Sequence, residues 1–379
     1  MIPYGHQSID KSDIEAVTKV LKSDWLSQGP KIAEFEEALA KYCGAKYAVI
    51  FSSGTAALHA AYFAAGLKSG DEFITTPLTF AATANPGLYL GAKPVFADIA
   101  EDLNLDPKEA VKKINSKTRI ISVVDFAGLP AKLEEFKKIA REHNLVLVED
   151  GCHALGASYK GKKIGSVADM TAFSFHPVKS ITTGEGGAVL TDNKDYYEKM
   201  KVFRHHGIVR DPEKFKMKSH GDWYHEMQEL GYNYRITDIQ AALGISQLKR
   251  LDKFIKARKK IAAAYNKAFK KFSDKLELPS DNKDFSSSWH IYVIRLKGAL
   301  VKKRSGIFKK LREAGIGVQV HYLPVYWHPY YQSLGFKKGL CPKAEAYYEA
   351  AISLPIFPDL KSKDQKFIVK KLIEIIKTF

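Results

Sequence analysis

Apolar and polar positions fall into a repeating block pattern along this chain. Strand-length apolar runs lie at residues 47–51, 72–76, 94–99, 119–125, 145–149, 170–175 and 187–191. Between several of them the apolar residues adopt helical spacing instead, over 56–65, 81–90, 107–114 and 132–143. Buried strands alternating with helices predict an α/β fold: a mostly parallel sheet of about seven strands, covered on both faces. Ahead of the sheet, 10–22 has helical spacing (Ile14, Val17, Val20, Leu21) with Asp10 or Ser12 as its cap. A turn around Gln28, Gly29 and Pro30 then leads into an amphipathic helix that closes near Gly44.

The rhythm changes in the second half. Residues 209–235 are polar, aromatic and weakly periodic, and a long irregular segment in a compact chain is more often functional than idle. A variable surface excursion is the alternative. One long helical pattern follows over 237–269 (Ile239, Leu243, Leu248, Leu251, Ile255), with a strongly basic outer face. Beyond Pro279, strands are expected at 289–296 and 317–322, a helix at 307–314 and a closing amphipathic helix at 366–379. The expectation is a large domain over 1–250, including the N-terminal segment, and a small α+β domain over 251–379.

Composition narrows the function classes. The 379 residues are 45% hydrophobic and 27% charged, as in an ordinary globular protein. The opening MIPYGHQSIDKSD shows no basic-then-apolar secretion leader, and charge interrupts every apolar run short of a membrane span. Three separated cysteines argue against a disulfide framework and fit a reducing cytoplasm. Net charge of +17 raises the question of polyanionic partners, but basic residues are interspersed with acids and no nucleic-acid fingerprint is visible. An acidic small substrate suits the same field. No membrane or nucleic-acid partner is expected, and a solvated face is the simpler reading of the basic helix. His205, His206 and His290 lack ligand spacing, so no metal is assigned.

Ligands of open α/β sheets bind beyond the carboxyl ends of the strands, so the residues after each strand carry the chemistry. SSGTAAL follows the first strand and places Ser52, Ser53, Gly54 and Thr55 at a helix N-terminus, an anion site or a routine cap. TTPLTFAATAN presents Phe80, a stacking plate or plain core. Asp150 ends a strand and needs a cationic partner if buried. In SFHPVKSITTGEGG, Lys179 sits in a tight turn, framed by hydroxyls and glycines, where a strand has just ended. A strand-end Asp, a loop Lys, a Ser/Gly/Thr helix start and an aromatic are together the parts of a pyridoxal 5'-phosphate site.

These stretches, with IPYGHQSI, WLSQGP, VVDFAGLP, VEDGCHALGA, GYNYRITDIQAALG and SLPIFP, run nearly end to end. The chain resembles the DegT/DnrJ/StrS group of fold-type I, pyridoxal-phosphate-dependent sugar-nucleotide aminotransferases. The resemblance implies that Lys179 carries the cofactor as a Schiff base and that Asp150 partners the pyridine nitrogen. His153 stands where many members have Gln beside the ring oxygen, and Phe80 takes the ring-stacking place. Thr55, Ala56 and Ser174 match phosphate contacts; Asn233 matches one reaching in from the other subunit of a homodimer whose active sites lie at the interface. His176 lies within the lysine signature and, with His321 and Tyr322 of the aromatic stretch HYLPVYWHPYY, is assigned to the substrate side. Related dehydratases carry His in place of the lysine, so Lys179 argues for transamination.

FHPVKSITTGEGG, VDFAG, GCHALG and FRHHG resemble a narrower branch, which aminates C4 of a UDP-linked 4-keto-6-deoxy-N-acetylhexosamine in pseudaminic acid biosynthesis, with L-glutamate as the expected donor. Another keto sugar nucleotide, aminated at C3 or C4, is the alternative. Two other classes stay open: a pyridoxal-phosphate lyase or desulfurase, for which no exposed cysteine motif is evident, and a non-enzymatic cofactor-binding regulator. The regulator would carry an added DNA-binding domain, for which the residues before Asp10 leave no room.

Overall fold

In a computed structural model, which describes residues 1–279 and 285–379, the seven apolar runs become the seven strands of one sheet. They are β1 (Tyr47–Phe51), β2 (Glu72–Thr75), β3 (Lys93–Phe96), β4 (Thr118–Val124), β5 (Val146–Asp150), β6 (Met170–Ser174) and β7 (Gly187–Thr191). Their order across the sheet is β1-β7-β6-β5-β4-β2-β3. β7 is antiparallel to both its neighbours and the remaining pairs are parallel. Period-2 alternation divides each strand between two cores. Val49, Phe51 and Phe73 pack with the helix Gly54–Ala64 on one face. Ala48, Ile50 and Ile74 pack on the other, against the helices Pro30–Cys43, Leu133–Glu142 and Asp238–Leu248. Burial on both faces is why the strands read as unbroken apolar runs rather than as alternating ones.

Three expectations change. The 81–90 pattern is a 3₁₀ turn, Ala81–Thr83, followed by a short helix, Asn85–Tyr89, because Pro86 lacks the N–H that a continuous helix would use. The 237–269 pattern is two helices, Asp238–Leu248 and Leu251–Phe269. At the break the Arg250 N–H bonds Gln247 O three residues back, and its guanidinium reaches Asp10 at 2.7 Å and Asp13. Asp10 caps the first helix, Lys11–Leu21, in a reciprocal box with Asp13. Finally, 317–322 is not a strand. Gly317 N–H bonds Ile2 O at 2.7 Å, so the N-terminal residues take its pairing, and only Gln319 bridges Ser353. The small sheet is instead antiparallel, with Tyr292–Leu296 between Leu276–Glu277 and Ala351–Leu354.

The helix Leu251–Phe269 joins two hydrophobic cores. Leu251, Phe254 and Ile255 pack beneath the large sheet, while Ile261, Ala262, Tyr265 and Phe269 pack on the small one. Between them Arg258, 1% exposed, donates to the carbonyls of His290 at 3.0 Å, Ile356 at 2.9 Å, Trp289 at 3.3 Å and Val178 at 3.5 Å. Desolvation lowers its pKa to about 10, which still leaves a charged donor at neutral pH. Among the described residues no helix is long and apolar enough to cross a membrane.

Arg258→Ala strands these carbonyls in the interior and is expected to cost about 3 kcal/mol or more. A guanidinium unfolding midpoint measures this. The exposed neighbour Lys256→Ala is expected to stay within about 0.5 kcal/mol of wild type.

Candidate active site

The parallel strands β4, β5 and β6 point their carboxyl ends at one cavity of about 520 Å³. Asp150, the last residue of β5, projects into it and is nearly buried. Two donors fix its carboxylate: the Thr83 hydroxyl at 2.6 Å on Oδ2 and the Cys152 N–H at 3.2 Å on Oδ1. Thr83 is itself paired with the Thr79 hydroxyl at 2.6 Å. The sequence reading missed both threonines. Their signal was a four-residue spacing in TTPLTFAAT, a stretch read only for Phe80.

Lys179 lies half-buried in the turn after β6, its N–H on His176 O at 2.9 Å. The Ser/Thr/Gly run closes the turn. Thr182 Oγ1 donates to Phe175 O at 3.0 Å, Thr183 Oγ1 to Glu185 O at 2.7 Å, and Gly184 takes a left-handed φ of 80°. Desolvation lowers the pKa of the Lys179 amine below its usual 10.5, while Cys152 and Asp150 act in the opposite direction. Burial therefore favours the neutral amine although an acid faces the same cavity.

The start of the helix Gly54–Ala64 forms another wall. Ser53 caps it, accepting the Ala56 N–H at 3.1 Å, while Thr55 and Ser174 line the cavity. Ala56 is not among the lining residues. Small residues let this end approach: a Cβ at Gly54 would lie 2.8 Å from Ser174 Cβ, and one at Gly187 would lie 2.4 Å from Ser53 O. Phe80 lines the opening with 62% of its surface exposed.

His153, His176, His321 and Tyr322 all line the cavity. Tyr322 hydroxyl and His153 Nε2 are 3.1 Å apart, and His321 Nδ1 lies 2.8 Å from Ser353 Oγ. Burial first, then the Lys179 charge, holds His153 well below its ordinary pKa and His321 at about 4, so both are neutral at physiological pH. Tyr4, Gln319 and His290, not foreseen as site residues, complete this side, with the His290 ring 4.4 Å from that of His153. The other expected contact lies elsewhere. Asn233 is exposed outside the cavity, its backbone bridging His205, whose Nδ1 meets Arg235 Nη1 at 2.8 Å. Among the described residues no cluster of His, Cys, Asp or Glu has the makings of a metal site.

Residues 7–373 match the profile of the DegT/DnrJ/EryC1/StrS aminotransferase family. The chain is 45% identical over 381 residues to a UDP-4-amino-4,6-dideoxy-N-acetyl-beta-L-altrosamine transaminase of Campylobacter jejuni, covering 99% of this chain and 98% of that one. Among solved structures, Helicobacter pylori PseC, an aminotransferase involved in the biosynthesis of pseudoaminic acid, superposes with a TM-score of 0.94. It is 37% identical, with all of both chains covered. The pyridoxal-phosphate form of the Streptococcus pneumoniae protein Spr1654 gives 0.92 at 30% identity, covering 100% of this chain and 99% of that one.

The donor set here fits pyridoxal phosphate. A fixed carboxylate, an amine biased to its neutral form, hydroxyls at a helix N-terminus and an exposed aromatic share one cavity. An amine-selective reagent tests the Lys179 environment directly. Its modification is expected to reach half-maximal rate at a lower pH than that of surface lysines, as peptide mapping across a pH series would report. Indistinguishable midpoints would contradict the desolvated site.

Proposed function

The chain belongs to the DegT/DnrJ/EryC1/StrS aminotransferase family, and from that premise we propose that it moves an amino group from L-glutamate to the C4 keto group of a UDP-linked 4-keto-6-deoxy-N-acetylhexosamine, using pyridoxal 5'-phosphate. The observation that carries the reading is the desolvated Lys179 amine sharing a cavity with the fixed carboxylate of Asp150. The full-length likeness to the Campylobacter transaminase supports the sugar assignment.

Bound pyridoxal phosphate supplies a carbonyl for amine exchange and a ring that takes up the electron pair left when a substrate proton departs. Asp150 would hold a proton on the ring nitrogen, and its bonds to Thr83 and Cys152 fix its carboxylate. Lys179, shifted toward its neutral form by burial, would take the proton from the donor's Cα and deliver it to the carbon on the far side of the shared nitrogen. The Thr55 and Ser174 hydroxyls and the N–H end of the helix Gly54–Ala64 bind the phosphate, and Phe80 covers one ring face. His153 braces Tyr322, and His176, His321 and Tyr322 face the sugar nucleotide.

A second copy of the chain completes the proposal. Asn233 lies outside its own cavity, and the excursion beside it carries Met217, Trp223, Met227 and Leu230 exposed. The excursion is ordered by its own bonds. Ile208–Val209 pairs with Glu226–Met227, and the Glu226 carboxylate accepts the N–H groups of Lys216 and Met217 at 2.8 and 2.7 Å. Such a held apolar surface fits a homodimer in which Asn233 reaches the partner's phosphate.

Mass spectrometry of the sugar product tests the assignment. With L-glutamate and the UDP-linked 4-keto sugar, wild type is expected to replace the keto oxygen by an amine, and Lys179→Ala to yield none. Asp150→Asn is expected to lower kcat by a factor on the order of 10²–10³. An unchanged UDP sugar beside an aminated dTDP-linked one would overturn the substrate assignment while keeping the enzyme class.

A further inference from the structure

Beside the reaction centre lies a pair of acids that amine transfer does not use. Asp125 directly follows β4 and Glu149 is the penultimate residue of β5; both are 0% exposed. The two strands are parallel neighbours, and the Asp125 N–H donates to the backbone carbonyl of Asp150 at 3.1 Å. Each carboxyl has one oxygen served. Asp125 Oδ1 accepts the Ala131 N–H at 2.8 Å, and Glu149 Oε2 accepts the Thr171 hydroxyl at 2.6 Å. The other oxygens, Asp125 Oδ2 and Glu149 Oε1, are buried and meet no donor among the described residues. Glu149 pairs with Val123, two residues before Asp125, so the two acids fall on one side of the sheet and each bears on the other.

Two bare carboxylates side by side inside a sheet would be a pair of mutually repelling, unsolvated anions. A single proton between them converts the repulsion into a short, charge-assisted hydrogen bond and uses both orphaned oxygens. We propose that Asp125 and Glu149 share one proton, and that this bonded pair is a positioning element for Asp150. It clamps the end of β5 from which Asp150 projects and keeps the charge next to it at one negative unit.

The electrostatic surroundings agree. Burial first, then the neighbouring acid, holds the Asp125 carboxyl well above the ordinary range, and burial moves Glu149 up to about 7. The pair titrates as a unit rather than as two independent groups. Asp150 bears on both members and is itself an acid. The Cys152 thiol also faces Asp125 and Asp150, and the Cys43 thiol faces Glu149 with Lys163 opposing it. Unfolded carboxyls release their protons near pH 4. Above that pH the folded chain binds one proton more than the unfolded chain, so this pair's contribution to stability falls as pH rises until the shared proton leaves.

Infrared spectroscopy of the cofactor-free protein near pH 7 tests the shared proton without reference to catalysis. Wild type is expected to show the carbonyl band of a protonated carboxyl, and Asp125→Asn and Glu149→Gln are each expected to lose it. Either variant keeps a donor between the two side chains, and the second serves if the first does not fold. Between pH 5 and 8 the melting temperature of wild type is expected to fall more steeply than that of the variants. No band in wild type, or a band surviving in both variants, would overturn the proposal.

The link to Asp150 rests on the amino-transfer reading and has its own readout. The pH profile of kcat/KM for L-glutamate is expected to lose or shift one ionisation in Asp125→Asn. An unchanged profile beside a lost infrared band would overturn the positioning role. A wild type inactive towards glutamate would fault the amino-transfer reading and leave the infrared result standing.

Discussion

A lysine amine exchanges with other amines only while it is neutral, and this fold shifts Lys179 toward that form by burying the amine. That constraint sets the rest. The amine must be desolvated, yet the acid sharing its cavity favours the charged form. The structure resolves the conflict by occupying the acid elsewhere. Thr83 and the Cys152 N–H hold the Asp150 carboxylate, so its charge is stabilised without an ion pair to the lysine. His153 and His321 stay uncharged for the same reason of burial.

Holding that arrangement takes both cores. β5 and β6 are parallel neighbours, with Asp150 opposite Ala172, so the acid and the turn bearing the lysine emerge at the same sheet edge. The far wall, with Gln319, His321 and Tyr322, comes from the C-terminal part of the chain. Arg258 fastens the two sides, because its guanidinium reaches the carbonyl of Val178, next to Lys179, as well as those of His290 and Ile356. Cavity geometry thus depends on a residue that never touches the cavity.

The large sheet was legible because burial on both faces writes each strand as an unbroken apolar run, and all seven runs pair in the sheet. Lys179 and Asp150 were legible because each follows a strand end, where α/β sheets place their chemistry. The C-terminal part of the chain was harder to read. The stretch 317–322 has strand composition, but its first residue bonds Ile2, an interaction more than three hundred positions distant that no local pattern encodes. The single helix expected over 237–269 failed similarly. Its break at Arg250 is set by Asp10 and Asp13, which are remote in sequence. Thr79, Thr83 and the Asp125–Glu149 pair were missed because each looks like ordinary strand or helix composition until the fold brings it beside Asp150.

The central claim is that the buried Lys179 amine reacts with a carbonyl cofactor. The visible absorbance of the purified protein mixed with pyridoxal phosphate tests it most directly, with Lys179→Ala alongside, before and after addition of L-glutamate. The account predicts a visible band in wild type that bleaches with glutamate, and no such response in the variant. A wild type that stays colourless, or a variant that bleaches equally, would contradict it.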